Sequence, residues 1–414
     1  MIQPPGDLPE RRGPSRRALL GAGVGLGAAL LTGTQPAAAV GRGGSQDTGA
    51  PTGPASLGQA VEPFHGAHQA GIATPLQASA SFVALDLARG VDRDALVRLM
   101  RIWTDDAERL TTGRPALADP EPELASVPAR LTITLGLGLG AVQAAGRAAQ
   151  APDWLGPLPA FRGDALEDRF SGGDLLLQVC AEDPVTVAHA VGVLVQDARS
   201  LAAVRWVQRG FHRPAHTAPS GITARNLMGQ VDGTANPVPG TETFDRHVWS
   251  TGQPGWMAGG TALVLRRIAM DLAVWGSLDR RTKEEAMGRR LADGAPLTGG
   301  NERTAPDFDA VDAHGFPVIP VTSHIRLARA TSDAEGMLRR PYNYDDGFTA
   351  SGTRDAGLVF AAYMADPTAQ FVPVQRRLAR SDVMNLWVRH VGSAVFAIPP
   401  GPQPGEHLAQ GLLG

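Results

Sequence analysis

The sequence predicts an α+β fold of two ferredoxin-like βαββαβ modules, each an antiparallel sheet with helices on one face. Three observations carry this prediction. The same order of elements, read from hydrophobic periodicity, occurs twice along the chain. In both copies an apolar strand closes on Asp-Pro and a helix follows: Asp174 to Pro184 reads DLLLQVCAEDP and Gly357 to Pro367 reads GLVFAAYMADP. A chain of 414 residues, 43% of them hydrophobic, is also long enough to bury a large core across two modules.

In the first copy Ser79–Leu87 reads as a strand. After it, Leu96, Leu99, Met100, Trp103, Ala107 and Leu110 fall at helical spacing behind Asp92, an N-cap residue type. Strands at Arg130–Leu135 and Asp174–Cys180, a helix from Pro184 to about Ser200 and a strand at Ala203–Arg209 complete this copy. The second copy has a strand at Thr261–Ile268, a charged helix from about Asp271 to Leu291 and an extended segment around Val318–Val321. A strand at Gly357–Met364, a helix from Phe371 to Val391 and a strand at Ser393–Ile398 follow. Two such sheets packed face to face enclose an apolar interior that a flat ligand enters from the side of one half.

The N-terminus is separate from this fold. Ser15-Arg16-Arg17 precedes an apolar Gly/Ala/Leu run, and Pro36-Ala37-Ala38-Ala39 has the small residues of a cleavage site. Residues 1–39 therefore read as a twin-arginine signal peptide, with the twin-arginine export machinery as a partner and a periplasmic, cell-surface or secreted location. Residues 40–61, rich in Gly, Ser, Pro and Thr, read as a flexible spacer. The N-terminal module then covers 62–215 and the C-terminal module 216–414. A net charge of -3 from 38 basic and 41 acidic residues gives no global reason to expect nucleic-acid binding. The single cysteine, Cys180, rules out an intramolecular disulfide, a cysteine zinc site, an iron–sulfur cluster and covalent C-x-x-C-H haem attachment.

The stretch Met228 to Pro237, MGQVDGTANP, places the carboxylate of Asp232 in a tight glycine-flanked loop. Gly229-x-x-Asp232-Gly233 resembles the GxxDG signature of the dye-decolorising peroxidases. Further segments fall in that family's order: PFHGAHQAG from Pro63, SHIRL from Ser323, MLRRPYNY from Met337, QFVPVQ from Gln370 and GSAVF from Gly392. The resemblance runs from about residue 62 to the C-terminus. It implies a dimeric α+β barrel around a haem pocket, non-covalent haem b, and an oxidoreductase that consumes hydrogen peroxide and takes single electrons from phenolic or dye-like donors.

The same resemblance assigns roles to residues. His324 is the proximal ligand of the haem iron. Asp232 is the distal acid/base that moves a proton between the peroxide oxygens. Arg339 supplies fixed positive charge beside the peroxide and is preferred to Arg340 because it follows the apolar pair Met337-Leu338. The backbone of Gly233, Thr234 and Ala235 contacts haem, as do Arg339 and Arg329. Arg329 lies where the chain departs from the family: Ala328-Arg329-Ala330-Thr331 stands in place of an Asn-Pro-Arg-like segment. Because an ordinary aspartate titrates near about 3.9, a carboxylate shuttle implies an acidic activity optimum.

The carboxylate behind His324 is not selected by the sequence. His65 and His68 have metal-ligand chemistry but no evident third ligand. Tyr342, Tyr344, Tyr363, Trp249, Trp275 and Trp387 are candidates for relaying an electron, with core packing as the ordinary role of such residues. Extracytoplasmic haem or iron handling of the deferrochelatase kind, and non-enzymatic haem carriage, are the competing functions. Asp232 and Arg339 argue against a carrier, which has no need of an acid/base and a cation on one face. Homo-oligomerisation is left open.

Overall fold

The computed structural model describes residues 57–214, 217, 223–252 and 254–414. The export signal expected at 1–39, and the spacer up to residue 56, lie outside the described residues.

The first half runs β1 (Ser79–Leu87), α1 (Arg93–Thr111), β2 (Thr132–Leu137), α2 (Leu139–Ala144), β3 (Leu175–Ala181), α3 (Pro184–Ala198) and β4 (Ala202–Phe211). The second runs α4 (Glu242–Val248), β5 (Thr261–Met270), α5 (Leu272–Ser277), α6 (Arg280–Met287), α7 (His324–Ala328), β6 (Leu338–Arg339), β7 (Tyr342–Phe348), β8 (Arg354–Met364), α8 (Pro367–Ser381), β9 (Val388–Ile398) and α9 (Gln410–Leu413). Asp92, the cap expected from sequence, accepts from Ala95 N, and Asp183 and Asp366 cap their helices by accepting from Thr186 N and Thr368 N. In α3 and α8 a proline follows the cap, where its missing N–H costs nothing.

The two sheets have one topology. The first is ordered β4-β1-β3-β2 and the second β9-β5-β8-β7, and all pairings are antiparallel. In each, the fourth strand lies beside the first and the second beside the third. Instead of packing face to face, the sheets join edge to edge through Leu137↔Ala397 and Phe211↔Asn343 and close into a barrel. Closure supplies partners for edge N–H and C=O groups that two open sheets would leave exposed. Side chains fill the interior, among them the fully buried Phe82, Tyr342, Tyr363 and Phe396.

Three sequence expectations for the second half are corrected. The charged segment 271–291 is two short helices, because Asp279 turns its carboxylate onto Thr282 N and caps α6 anew, and Gly288 ends it at φ 90°. Val318–Val321 is turn and bend; the missing second strand is β6–β7, one strand interrupted at Pro341, which has no N–H for the ladder. The helix expected at Phe371–Val391 starts at Pro367 and stops at Ser381, because Asp382 caps the 3₁₀ turn Val383–Leu386.

Helices α1 and α3 cover the first sheet. Trp103, fully buried, anchors one on the other by donating Nε1–H to Leu194 O at 2.8 Å. Nearby, Asp106 and Asp197 face each other across the same helix pair. Burial, with the charge of Asp106 added, pushes Asp197 up to about 7. Asp106 is likewise raised by burial. The folded chain thus holds the Asp197 proton more tightly than the unfolded chain does. The associated stability is complete below the ordinary carboxylate range and is lost as pH climbs through about 7. Asp197→Asn is expected to raise the melting temperature at pH 8 and leave it unchanged at pH 4. Because Asp197 is only half-buried, the gain is roughly 1–2 kcal/mol, well below the full conversion at ~1.4 kcal/mol per pKa unit. Equal melting shifts at both pH values would contradict this account.

Candidate active site

The Asp232 loop is held at several points. Gly229 and Gly233 take φ values of 82° and 117°, which permit its turns. Asn226 Oδ1 accepts from Met228 N at 3.1 Å and Gln230 N at 3.2 Å, while Arg225 Nη1 donates to Gly229 O at 2.8 Å and to Leu291 O at 2.7 Å. Asn343 on β7 accepts from Leu227 N at 3.0 Å, and Trp275 donates Nε1–H to Met228 O at 3.0 Å. Thr223 and Thr234 both donate to Glu302 Oε1, at 2.5 and 2.9 Å, bracing the two ends of the loop against one carboxylate.

Arg339 Nη1 donates to Asp232 Oδ1 at 3.3 Å. Its main chain is gripped by Asn236, which donates Nδ2–H to Arg339 O at 2.7 Å and accepts from Arg339 N at 3.1 Å. The two arginines part because strand residues alternate faces. Leu338 joins the barrel core and Arg339 turns to the opposite, outer side. Arg340 turns inward, donating to Thr74 O and to Gln77 Oε1 at 2.9 Å. Neither arginine pairs with the nearby acids: Asp345 pairs with Arg354 and Asp346 with Arg267. The site therefore lies outside the barrel interior, a correction to the expectation of a ligand held between two facing sheets.

His324 opens α7, and its Nδ1 lies 2.6 Å from Asp382 Oδ2. Asp382, 6% exposed, also accepts from Met384 N at 2.9 Å, so its carboxylate is fixed at both oxygens. Burial disfavours the charged imidazole of His324, but the charge and hydrogen bond of Asp382 outweigh it and leave the imidazole above its ordinary range. The charges of Asp232 and Arg339 also reach His324, with opposite signs, so the two halves of the site share one electrostatic neighbourhood.

Other sequence candidates fall differently. The guanidinium of Arg329 stacks over Phe308 at 4.5 Å, and its carbonyl accepts from Arg377 Nη2 at 2.8 Å. His65 and His68 are apart in function: His65 contacts Pro402 O and Glu108, while His68 binds Gly259 O and stacks on Trp249. Tyr342, Tyr344 and Tyr363 belong to the barrel core, and Trp275 meets Trp387 edge-on at 5.1 Å. Sequence reasoning missed Asp382, Asn236 as a backbone clamp, and Glu302. Only Asn236 stood inside a recognised motif.

The donor set fits haem. Among the described residues no three His, Cys, Asp or Glu side chains converge to hold a bare ion. His324, braced through Nδ1, has Nε2 left for a metal, and one protein ligand suffices when a macrocycle brings the other four. An aspartate paired to an arginine within electrostatic reach is the equipment for protonating and polarising a bound peroxide.

Barrel and site thus define an oxidoreductase of the peroxidase class. The Dyp-type peroxidase N-terminal family model matches residues 69–212, and the Dyp-type peroxidase C-terminal model matches residues 223–403. The chain belongs to the Dyp-type peroxidase family. It is 41% identical to the dye-decolorizing peroxidase of Thermobifida fusca over 98% of both chains, and 36% identical to a deferrochelatase of Escherichia coli over 97% of both. The crystal structure of a DyP-type peroxidase from Cellulomonas bogoriensis is similar at a TM-score of 0.84, with 53% identity, covering 86% of this chain and 99% of that one. Ferric DtpA from Streptomyces lividans is similar at 0.85, with 43% identity, covering 88% of this chain and 100% of that one.

Proposed function

We propose that this protein is a haem-b peroxidase that reduces hydrogen peroxide and oxidises phenolic or dye-like donors one electron at a time. The observation that carries the reading is the Asp232–Arg339 pair placed within electrostatic reach of a carboxylate-braced His324. His324 would hold the iron through Nε2, with Asp382 accepting a hydrogen bond from Nδ1, which fixes the ring and raises its basicity. When bound, the haem supplies the redox chemistry that peroxide cleavage requires. Asp232 takes the proton from one peroxide oxygen and returns it to the other, so that the departing oxygen leaves as water. Arg339 stabilises the negative charge that develops on that oxygen. The Gly233–Thr234–Ala235 backbone and the guanidinium of Arg329 would contact the haem.

The test is the haem-loaded chain mixed with hydrogen peroxide and a phenol. A Soret band that responds to one equivalent of peroxide, with phenol oxidation, supports the reading; haem bound without any response to peroxide overturns it. A second reading, release of iron from haem, is favoured by the 36% likeness to deferrochelatases, and intact protoporphyrin as product would identify it. The motif Ser15-Arg16-Arg17 supports export of the folded protein. Replacing both arginines by lysine is expected to keep the precursor in the cytoplasm, measured by fractionation.

A further inference from the structure

We propose that Arg377 on α8 is a positioning residue of the peroxidase site, a single guanidinium that ties the helix carrying His324 to the segment leading into Arg339. The inference rests on the peroxidase reading and adds to it what sets the span between the two halves of the site. Residues 325–338 are the chain that connects His324 to Arg339, and this connection opens with α7, a helix of five residues, too short to hold itself by its own hydrogen bonds. The end of such a helix leaves carbonyls without intrahelical partners. Arg377 takes them up: Nε donates to Leu327 O at 3.2 Å and Nη2 to Arg329 O at 2.8 Å. A cation at this end of the helix is also the favourable sign for its dipole.

The same guanidinium reaches the far end of the connection. Nη1 donates to Glu335 Oε1 at 2.7 Å and Nη2 to Glu335 Oε2 at 2.8 Å, a two-pronged pair to a buried carboxylate. Glu335 also accepts from Thr331 N at 2.8 Å and from Thr331 Oγ1 at 3.1 Å, which closes the turn 331–335 on itself. The hydrogen bonds from Arg377 hold the Glu335 carboxyl below its ordinary range and keep the pair charged. About two turns earlier on α8, Gln370 donates to Gly336 O and to His247 O, so the same helix grips the connection again three residues before Arg339. At Arg339 itself the Asn236 clamp takes over. Arg377 thus serves two carbonyls and both oxygens of one carboxylate at once, a task for a planar fork that the point charge of a lysine does not perform. None of its contacts is to His324, Asp232 or Arg339, so it acts on the chemistry only through where it holds them. A displacement of about 1 Å at a reacting group costs on the order of 10²-fold, which is the scale such a brace can influence.

In the haem-loaded chain, Arg377→Ala is expected to slow the peroxide-induced Soret change about tenfold or more and to speed haem transfer to apomyoglobin by a similar factor. The iron–histidine stretching band of the ferrous holoenzyme, read by resonance Raman, should shift or broaden. Added methylguanidinium should return both the peroxide rate and the band towards wild type in Arg377→Ala, and change nothing in Arg376→Ala, a substitution at the exposed neighbouring position. A wild-type band and a wild-type peroxide rate in Arg377→Ala would overturn the proposal. So would a slower rate with an unchanged band and no rescue, the pattern of a role in folding alone. Arg377→Lys and Glu335→Gln, which keep the length of each side chain, carry the same readouts where the alanine variant fails to fold, and wild-type values in both would overturn the brace. A wild-type holoenzyme that shows the iron–histidine band but ignores peroxide would instead refute the peroxidase reading, with the brace then decided by the band and the haem-transfer rate.

Discussion

Asp232→Asn is expected to lower kcat/KM for hydrogen peroxide by about 10²–10⁴-fold while haem content and the resting spectrum stay as in wild type. Asparagine keeps the shape and can still contact Arg339, but it neither takes the peroxide proton nor returns it. Rapid mixing with peroxide isolates this step from donor oxidation. Arg339→Leu removes the positive charge instead and is expected to cost about 10²–10³-fold in the same step. The two side chains touch at 3.3 Å, so the double variant should lose less than the product of the single losses. Losses that simply multiply would mean that the pair does not act as a unit. Wild-type peroxide reactivity in Asp232→Asn would remove Asp232 from the mechanism.

The other large effect is expected at His324. In His324→Ala the only protein ligand assigned to the iron disappears, and the purified chain should lose its Soret band or show it shifted, with peroxide turnover at background. Asp382→Asn tests the bracing: an outer partner of a ligating histidine typically carries 10–100-fold in metal affinity or activity, so about that loss is expected with the histidine still in place. Full haem loading and activity in Asp382→Asn would show that the 2.6 Å contact positions nothing of consequence.

The fold was legible where elements are local and strongly patterned. β1 is a short continuously buried run, α1 starts behind the Asp92 cap, and the Asp-Pro starts of α3 and α8 are short-range chemistry. The second half was harder. In 271–291 a helical pattern survives the interruption at Asp279, because a capping carboxylate looks like any other polar position until its hydrogen bond is seen. β7 was overlooked because the strand 338–348 is broken at Pro341 and ends in Asp345-Asp346-Gly347, residues unsuited to a strand taken alone. Its place is set by pairing with β8 and β4.

By itself the sequence determined the repeated βαββαβ order, the Asp92 cap, and a set of motifs containing Asp232, His324 and Arg339, since each depends on residues close in the chain. The tertiary structure alone decided that the two sheets close edge to edge. It also decided that Arg339 faces Asp232 while Arg340 enters the barrel, and that Asp382 stands behind His324. These are contacts across 107 and 58 residues of chain, and a strand's alternation fixes which neighbour turns inward only once its register is known.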